Sequence, residues 1–128
     1  MTKEEEKLLL TDLCSRIPYG VRVKFTEFSS LKDKELIGIT AYDNDMPIAT
    51  CRTENGIITM PLKYVKPYLL PLSTLNDKQY EEYLKLEHSG DMEHLSVPLL
   101  VWFNKNNFDY RGLIPMGLAD DATNLNIY

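Results

Sequence analysis

The run Glu35-Leu36-Ile37-Gly38-Ile39-Thr40-Ala41-Tyr42-Asp43-Asn44-Asp45-Met46-Pro47-Ile48-Ala49-Thr50-Cys51-Arg52-Thr53-Glu54-Asn55-Gly56-Ile57-Ile58-Thr59-Met60 decides the fold. Its first eight residues are mostly apolar or β-branched and read as a strand. Asp43-Asn44-Asp45 supplies turn residues, and Met46 to Arg52 reads as the next strand. Asn55-Gly56 favours a type I′ hairpin turn into Ile57-Ile58-Thr59-Met60. Upstream, Val21, Val23 and Phe25 alternate with Arg22, Lys24 and Thr26, the period of two that makes one strand face apolar and the other basic. The centre of the chain is therefore a meander of four short strands.

Working outward, Pro61, Pro67 and Pro71 remove backbone donors at short intervals, so Pro61 to Leu72 forms no long regular element. A 3₁₀ turn near Tyr64 to Lys66 and an extended piece fit it best. Bent strands, a hairpin, a 3₁₀ turn and a last short strand follow the order of a small SH3-like barrel, a fold that hosts many unrelated functions. Towards the N-terminus, Thr2 and Glu5 have the form of a capping box, and Leu9, Leu10, Leu13, Cys14 and Ile17 recur at helical spacing as far as Pro18. Towards the C-terminus, Asn76 with Gln79 caps a helix carrying Tyr80, Tyr83, Leu84 and Leu86 that stops by Ser89-Gly90. Ser96 caps another through Leu99, Leu100, Trp102 and Phe103, with Pro98 in its first turn. The tail from Phe108 to Tyr128 reads as irregular. The expected architecture is α+β in one domain, 1–128: an N-terminal helix (1–18), a small meander barrel of four to five strands (19–72), and two helices with a tail (73–128).

The 128 residues are 44% hydrophobic and 26% charged with a formal net charge of −5, which excludes a disordered chain as the default and a strongly basic nucleic-acid binder. Residues 1–64 carry net −1 and residues 65–128 net −4, so the expected barrel is nearly neutral with its basic side chains on one strand face. Arg22, Lys24, Arg52, Lys63 and Lys66, with Tyr42, Tyr64 and Tyr68 interleaved, form either a solvated outer face or a surface suited to single-stranded nucleic acid. The start Met1-Thr2-Lys3-Glu4-Glu5-Glu6-Lys7 is acidic and helical, unlike a secretory signal, and no apolar run reaches the ~20 residues that cross a bilayer. A cytoplasmic protein with no membrane partner is expected.

Few chemistries are supported. Cys14 and Cys51 belong to no metal-ligand pattern and read as small buried hydrophobes. His88 and His94, in Glu87-His88-Ser89-Gly90-Asp91-Met92-Glu93-His94, are not one helical turn apart, so that stretch reads as a polar connector. The adjacent pairs Glu81-Glu82 and Asp120-Asp121 face apart, the glycines are scattered singly, and no nucleophile elbow is present. No catalytic residue, metal or cofactor is assigned.

The run Trp102-Phe103-Asn104-Lys105-Asn106-Asn107-Phe108-Asp109-Tyr110-Arg111-Gly112-Leu113-Ile114, followed by Gly117-Leu118-Ala119, resembles the closing motif of small proteins of gut Bacteroidales and their phages or prophages. Leu9 to Val21 and Val65 to Leu72 are similar to that group as well. The resemblance implies a context of mobile elements and a surface near the C-terminus, and no activity. Trp102, Asp109, Tyr110 and Arg111 are therefore the candidate binding residues. The alternative is a tail strapped down by Phe108, Leu113, Ile114 and Leu118 with Arg111 in a structural network. The functional expectation is a non-enzymatic module contacting a host or phage protein. Nucleic-acid binding through the basic strand face is the alternative, and an enzyme acting on a nucleotide or other small molecule is the third reading.

Overall fold

A computed structural model of the chain describes residues 1–27, 33–41, 46–87 and 96–128. The Asp43-Asn44-Asp45 turn, Tyr42, the end of the second helix at Ser89-Gly90 and the stretch holding both histidines lie outside the described residues. The fold is α+β. Helix α1 (Lys3–Arg16) is followed by strands β1 (Arg22–Phe25), β2 (Lys34–Thr40), β3 (Ile48–Thr53), β4 (Gly56–Pro61) and β5 (Val65–Leu69), helices α2 (Asp77–Glu87) and α3 (Val97–Lys105), and the two-residue β6 (Asp120–Asp121). Among the described residues no helix is long and apolar enough to cross a membrane.

Local signals set the helix starts. The Thr2 hydroxyl accepts from the Glu5 N–H at 3.1 Å while the Glu5 carboxylate accepts from the Thr2 N–H at 2.9 Å, satisfying two of the donors that every helix start leaves open. Asn76 and Gln79 make the same reciprocal pair at α2, and Ser96 caps α3 through the Leu99 N–H. One expectation for α1 is corrected. The buried stripe runs Leu9, Asp12, Leu13, Arg16, so Cys14 faces away from it and is exposed, while Cys51 is buried as expected.

The six strands form one sheet in the order β4-β3-β2-β1-β5-β6, antiparallel throughout except for the parallel pair β5–β6. The sheet is open, which corrects the expected barrel. Closure would need β5 to turn back towards β4, but the outer edge of β5 is occupied by the tail: Tyr68 pairs with Asp120, Leu69 with Asp121, and Leu70 with Phe108. The tail is accordingly more regular than its glycines and proline suggested. The 3₁₀ turn sits slightly earlier than expected, at Leu62–Tyr64. The hairpin is also different, with turn residues Glu54 and Asn55 lacking the positive φ that a type I′ turn requires, and only Gly56 (φ 120°) adopting it.

Burial follows the period of two. Val21, Val23 and Phe25, with Leu36, Ala49, Cys51, Met60, Val65 and Leu69, turn to one face, and α1 covers that face with Leu9 and Leu13. Leu113, Leu118 and Ala119 of the tail complete this core. A second, smaller cluster of Leu99, Phe103 and Phe108 holds α2 and α3 through Leu75, Tyr83, Leu86 and Trp102. Phe108 and Asp109 link the two clusters, because Asp109 N–H bonds Leu70 O (2.9 Å) and Leu70 N–H bonds Asn107 O (2.8 Å).

Candidate functional site

The segment after α3 begins with a chain reversal. Asn107 adopts φ 62°, a left-handed conformation that asparagine tolerates better than most residues, and the Phe108 N–H returns to Phe103 O at 3.0 Å. The next three side chains then leave in three directions. Asp109 turns into the following turn, where its two carboxylate oxygens accept from the Leu113 N–H (2.8 Å) and the Ile114 N–H (2.9 Å). A buried carboxylate is stabilised by such donors, and these two use one lone pair on each oxygen. Tyr110 stacks on Phe103 at 5.1 Å and 16°, and its hydroxyl donates to Asn104 Oδ1 at 3.1 Å.

Arg111 reaches back 99 positions to α1, where its Nη1 donates to Asp12 Oδ1 at 2.8 Å. Asp12 is itself fully buried and already holds Arg16, through Nε at 2.8 Å and Nη2 at 3.1 Å. Arg16 Nη2 also donates to Phe108 O at 2.7 Å, and among the described residues Arg16 Nη1 meets no hydrogen-bond partner. One carboxylate thus bridges two guanidiniums, and both guanidiniums lie over the Tyr110 ring, at 5.3 Å and 4.5 Å from its centroid. Arg suits this place because its planar fork pairs with carboxylate and stacks on an aromatic face together. The cluster fastens α1 to the C-terminal segment.

All four candidate residues meet partners within the chain, Trp102 apart from the arginine cluster. Its indole N–H donates to Glu82 of α2 at 3.0 Å, and its ring stacks on Phe108 at 5.4 Å and 25°. Trp102 also meets Phe103 and Tyr83, and Tyr83 meets Tyr80, so aromatic rings run from α2 to Tyr110. Asp109 and Arg111, which an active-site pocket would have to present together with a histidine, point at different partners. Both histidines lie outside the described residues, and among the described residues no group of three or more metal-ligating side chains assembles. Burial pushes the Cys51 thiol up to about 11, which leaves it protonated and a poor nucleophile near neutral pH.

On the sheet's outer face Arg22, Lys24, Arg52 and Lys66 stand with acids among them, and Lys63 lies beyond it on the 3₁₀ turn. Arg22 pairs with Asp33, Lys24 with Asp120, and Arg52 with Glu35 at 3.6 Å. Lys63 lies over the Tyr64 ring at 5.0 Å, and Lys66 stands directly opposite Lys24 on β5, one position along the face from Tyr68. Tyr42, the third interleaved tyrosine, lies outside the described residues. Three of the five candidate cations stand beside a carboxylate of the chain.

Sequence reading missed two features. Asp12 and Arg16 escaped notice although they continue the stripe of Leu9 and Leu13. Tyr128 was the other. The Thr26 N–H bonds Tyr64 O at 2.8 Å, which fixes the phase of the β1–β5 ladder and makes Arg22 and Tyr68 its next-but-one bonded pair. There the Tyr128 hydroxyl intervenes, accepting from the Arg22 N–H at 2.9 Å and donating to Tyr68 O at 2.7 Å. It fills the gap where β5 leaves β1 for β6; the residue is 47% exposed, but desolvation of its hydroxyl end between the strands pushes it up to about 12. The chain matches no family model, and neither a curated protein nor a solved structure shows similarity to it.

Proposed function

We propose that the chain is a small non-enzymatic module that binds another protein, and that it serves a phage or prophage, the context its C-terminal motif suggests. The observation that carries this reading is the incompletely covered surface of the two late helices. α2 has no buried residue although it bears Tyr80, Tyr83, Leu84 and Leu86. Tyr80 and Leu84 are exposed one helical turn apart, as are Val97, 71% exposed, and Val101 on α3. Exposed apolar side chains on neighbouring helices suit a protein partner with an apolar face of its own. The order of β1 to β5, with a 3₁₀ turn between β4 and β5, supports an SH3-like relationship in which the barrel has been opened by the tail.

The test is affinity capture from an extract of a Bacteroidales host, comparing the protein with a Tyr80→Ser, Leu84→Ser, Val97→Ser variant by quantitative mass spectrometry. A phage or host protein enriched by the first and lost with the second is the expected result. Equal recovery by both, or no enrichment together with turnover in a substrate screen, overturns the reading. The opposition of Lys24 and Lys66 beside Tyr68 favours a second reading, binding of single-stranded nucleic acid. That reading expects retention of labelled DNA or RNA at low salt, weakened by Lys66→Gln and by added salt.

A further inference from the structure

The sheet has two edges, and they differ. β6 is two residues long, whereas β4 runs over Gly56–Pro61 and its outer side meets no other described strand. The Leu62 N–H bonds Pro47 O at 2.8 Å, which sets the phase of the β3–β4 ladder. Gly56, Ile58 and Met60 therefore bond inward to Thr53, Cys51 and Ala49, while Ile57, Thr59 and Pro61 turn their backbone groups outward. Pro61 has no N–H, so the outward donors are Ile57 and Thr59. Ile57 is 68% exposed and Ile58 41%. Exposed edges of soluble proteins are usually protected by lysine or proline, by an inward-pointing charge or by a bulge, and β4 carries a proline only at its last position, Pro61. Residues 55–62 carry no charge at all, and the charges that bound them are Glu54 at one end and Lys63 at the other.

We infer that β4 pairs antiparallel with β4 of a second copy of this chain, with Ile58 facing its counterpart across a two-fold axis. In that register Ile57 stands opposite Thr59 of the second copy, and the two exchange both backbone hydrogen bonds. Symmetry repeats the exchange, so all four outward groups of each strand's Ile57 and Thr59 are used. The two Ile58 residues form a pair without backbone bonds between them, the type whose side chains approach closest. Glu54 of each copy falls within one position of Lys63 of the other. A parallel arrangement brings like charges together instead, and moving the axis to Thr59 sets Ile57 opposite Pro61 and forfeits a donor. Because the contact is isologous it closes at two copies. The strand edge is smaller than a standard interface, so the association is weak. The inference is independent of the α2–α3 surface.

Sedimentation equilibrium from micromolar to millimolar protein tests it, using the full chain and Ile58→Lys, with circular dichroism to check that the variant is folded. The expected result is a mass that rises to twice the monomer value with concentration for the full chain and stays at the monomer value for the variant. Register is read by oxidative cross-linking in a Cys14→Ser background. Ile58→Cys should give a covalent dimer, since residues in such a pair have Cα atoms ~4.5 Å apart, within disulfide range. Ile57→Cys should cross-link several-fold more slowly, being offset from its own counterpart. A full chain that stays monomeric at millimolar concentration, an Ile58→Lys variant that still dimerises, or faster cross-linking by Ile57→Cys overturns the inference.

Discussion

The seam between α1 and the C-terminal segment and the edge at β4 invert the usual arrangement of side chains. In the seam Asp12 and Arg16 have no exposure at all, while on the edge two isoleucines face solvent. The inside charges are tolerable because each has a partner in place: a carboxylate bridging two guanidiniums, a carbonyl for Arg16, and an aromatic ring beneath both arginines. Beside the outside isoleucines, the outward backbone groups of Ile57 and Thr59 meet no other described strand. Residue type alone does not decide burial here. What decides it is whether the neighbours supply a partner for the charge, and the two regions can be broken separately.

The largest expected effect is in the seam. Asp12→Ala removes the one carboxylate that both arginines share and leaves two guanidiniums in a mostly dry place. Breaking a buried ion pair from one side costs about 3–5 kcal/mol. Denaturant unfolding of the variant should show a loss of that size, and a loss below about 1 kcal/mol would mean that solvent reaches the seam. Arg111, the partly exposed member, sharpens the point. Arg111→Ala leaves the Arg16–Asp12 pair intact and should cost about 1–2 kcal/mol, in the range of one charge-assisted hydrogen bond.

Next in size is Tyr128, which serves the sheet as Asp12 serves the seam. Tyr128→Phe leaves the Arg22 N–H and the Tyr68 carbonyl without their shared partner, and about 1–2 kcal/mol should be lost. The pH dependence identifies the cause. The phenol holds its proton to about 12 in the folded chain against its ordinary value of 10, so the native state binds this proton more tightly than the unfolded one. Its contribution is therefore complete below pH 10 and disappears as pH rises through 12. Denaturation curves between those values should fall more steeply for the full chain than for Tyr128→Phe, and parallel curves would place the hydroxyl in solvent.

These two features were also the least legible in the sequence, for a shared reason. The capping boxes at Thr2 and Asn76 could be read because donor and acceptor are three residues apart, and the apolar face of β1 because its period is local. Asp12 and Arg16 look like any solvated acid–base pair one helical turn apart. What buries them is Phe108, 92 positions beyond Arg16, and Arg111, 99 beyond Asp12. The open sheet was hidden in the same way. A meander of strands followed by a 3₁₀ turn was readable, but that β5 meets Asp120 rather than curling towards β4 depends on a tail whose pairing leaves no periodic trace in two residues. The candidate motif from Trp102 to Arg111 was found as a run of residues, and its division into an α2 contact, a turn cap and an α1 contact belongs to the fold.

The smallest effect should come from the edge, and its smallness is informative. Substitutions at exposed positions usually change stability by less than about 0.5 kcal/mol, so Ile57→Thr, which keeps a β-branched side chain, should unfold within that margin of the full chain at micromolar concentration. Asp12→Ala and Ile57→Thr thus exchange the roles that their residue types suggest, the charge being indispensable and the isoleucine dispensable. The equality should hold only while the chains are dilute. If the β4 edges pair, folding is linked to association, and the full chain gains stability with concentration as RT ln(1 + [L]/Kd) prescribes. Raising protein from well below to about 100-fold above Kd should then add ~2.7 kcal/mol to the full chain and nothing to Ile58→Lys. A midpoint independent of concentration in both would leave the exposed isoleucines with no counterpart to the partners that the buried charges possess.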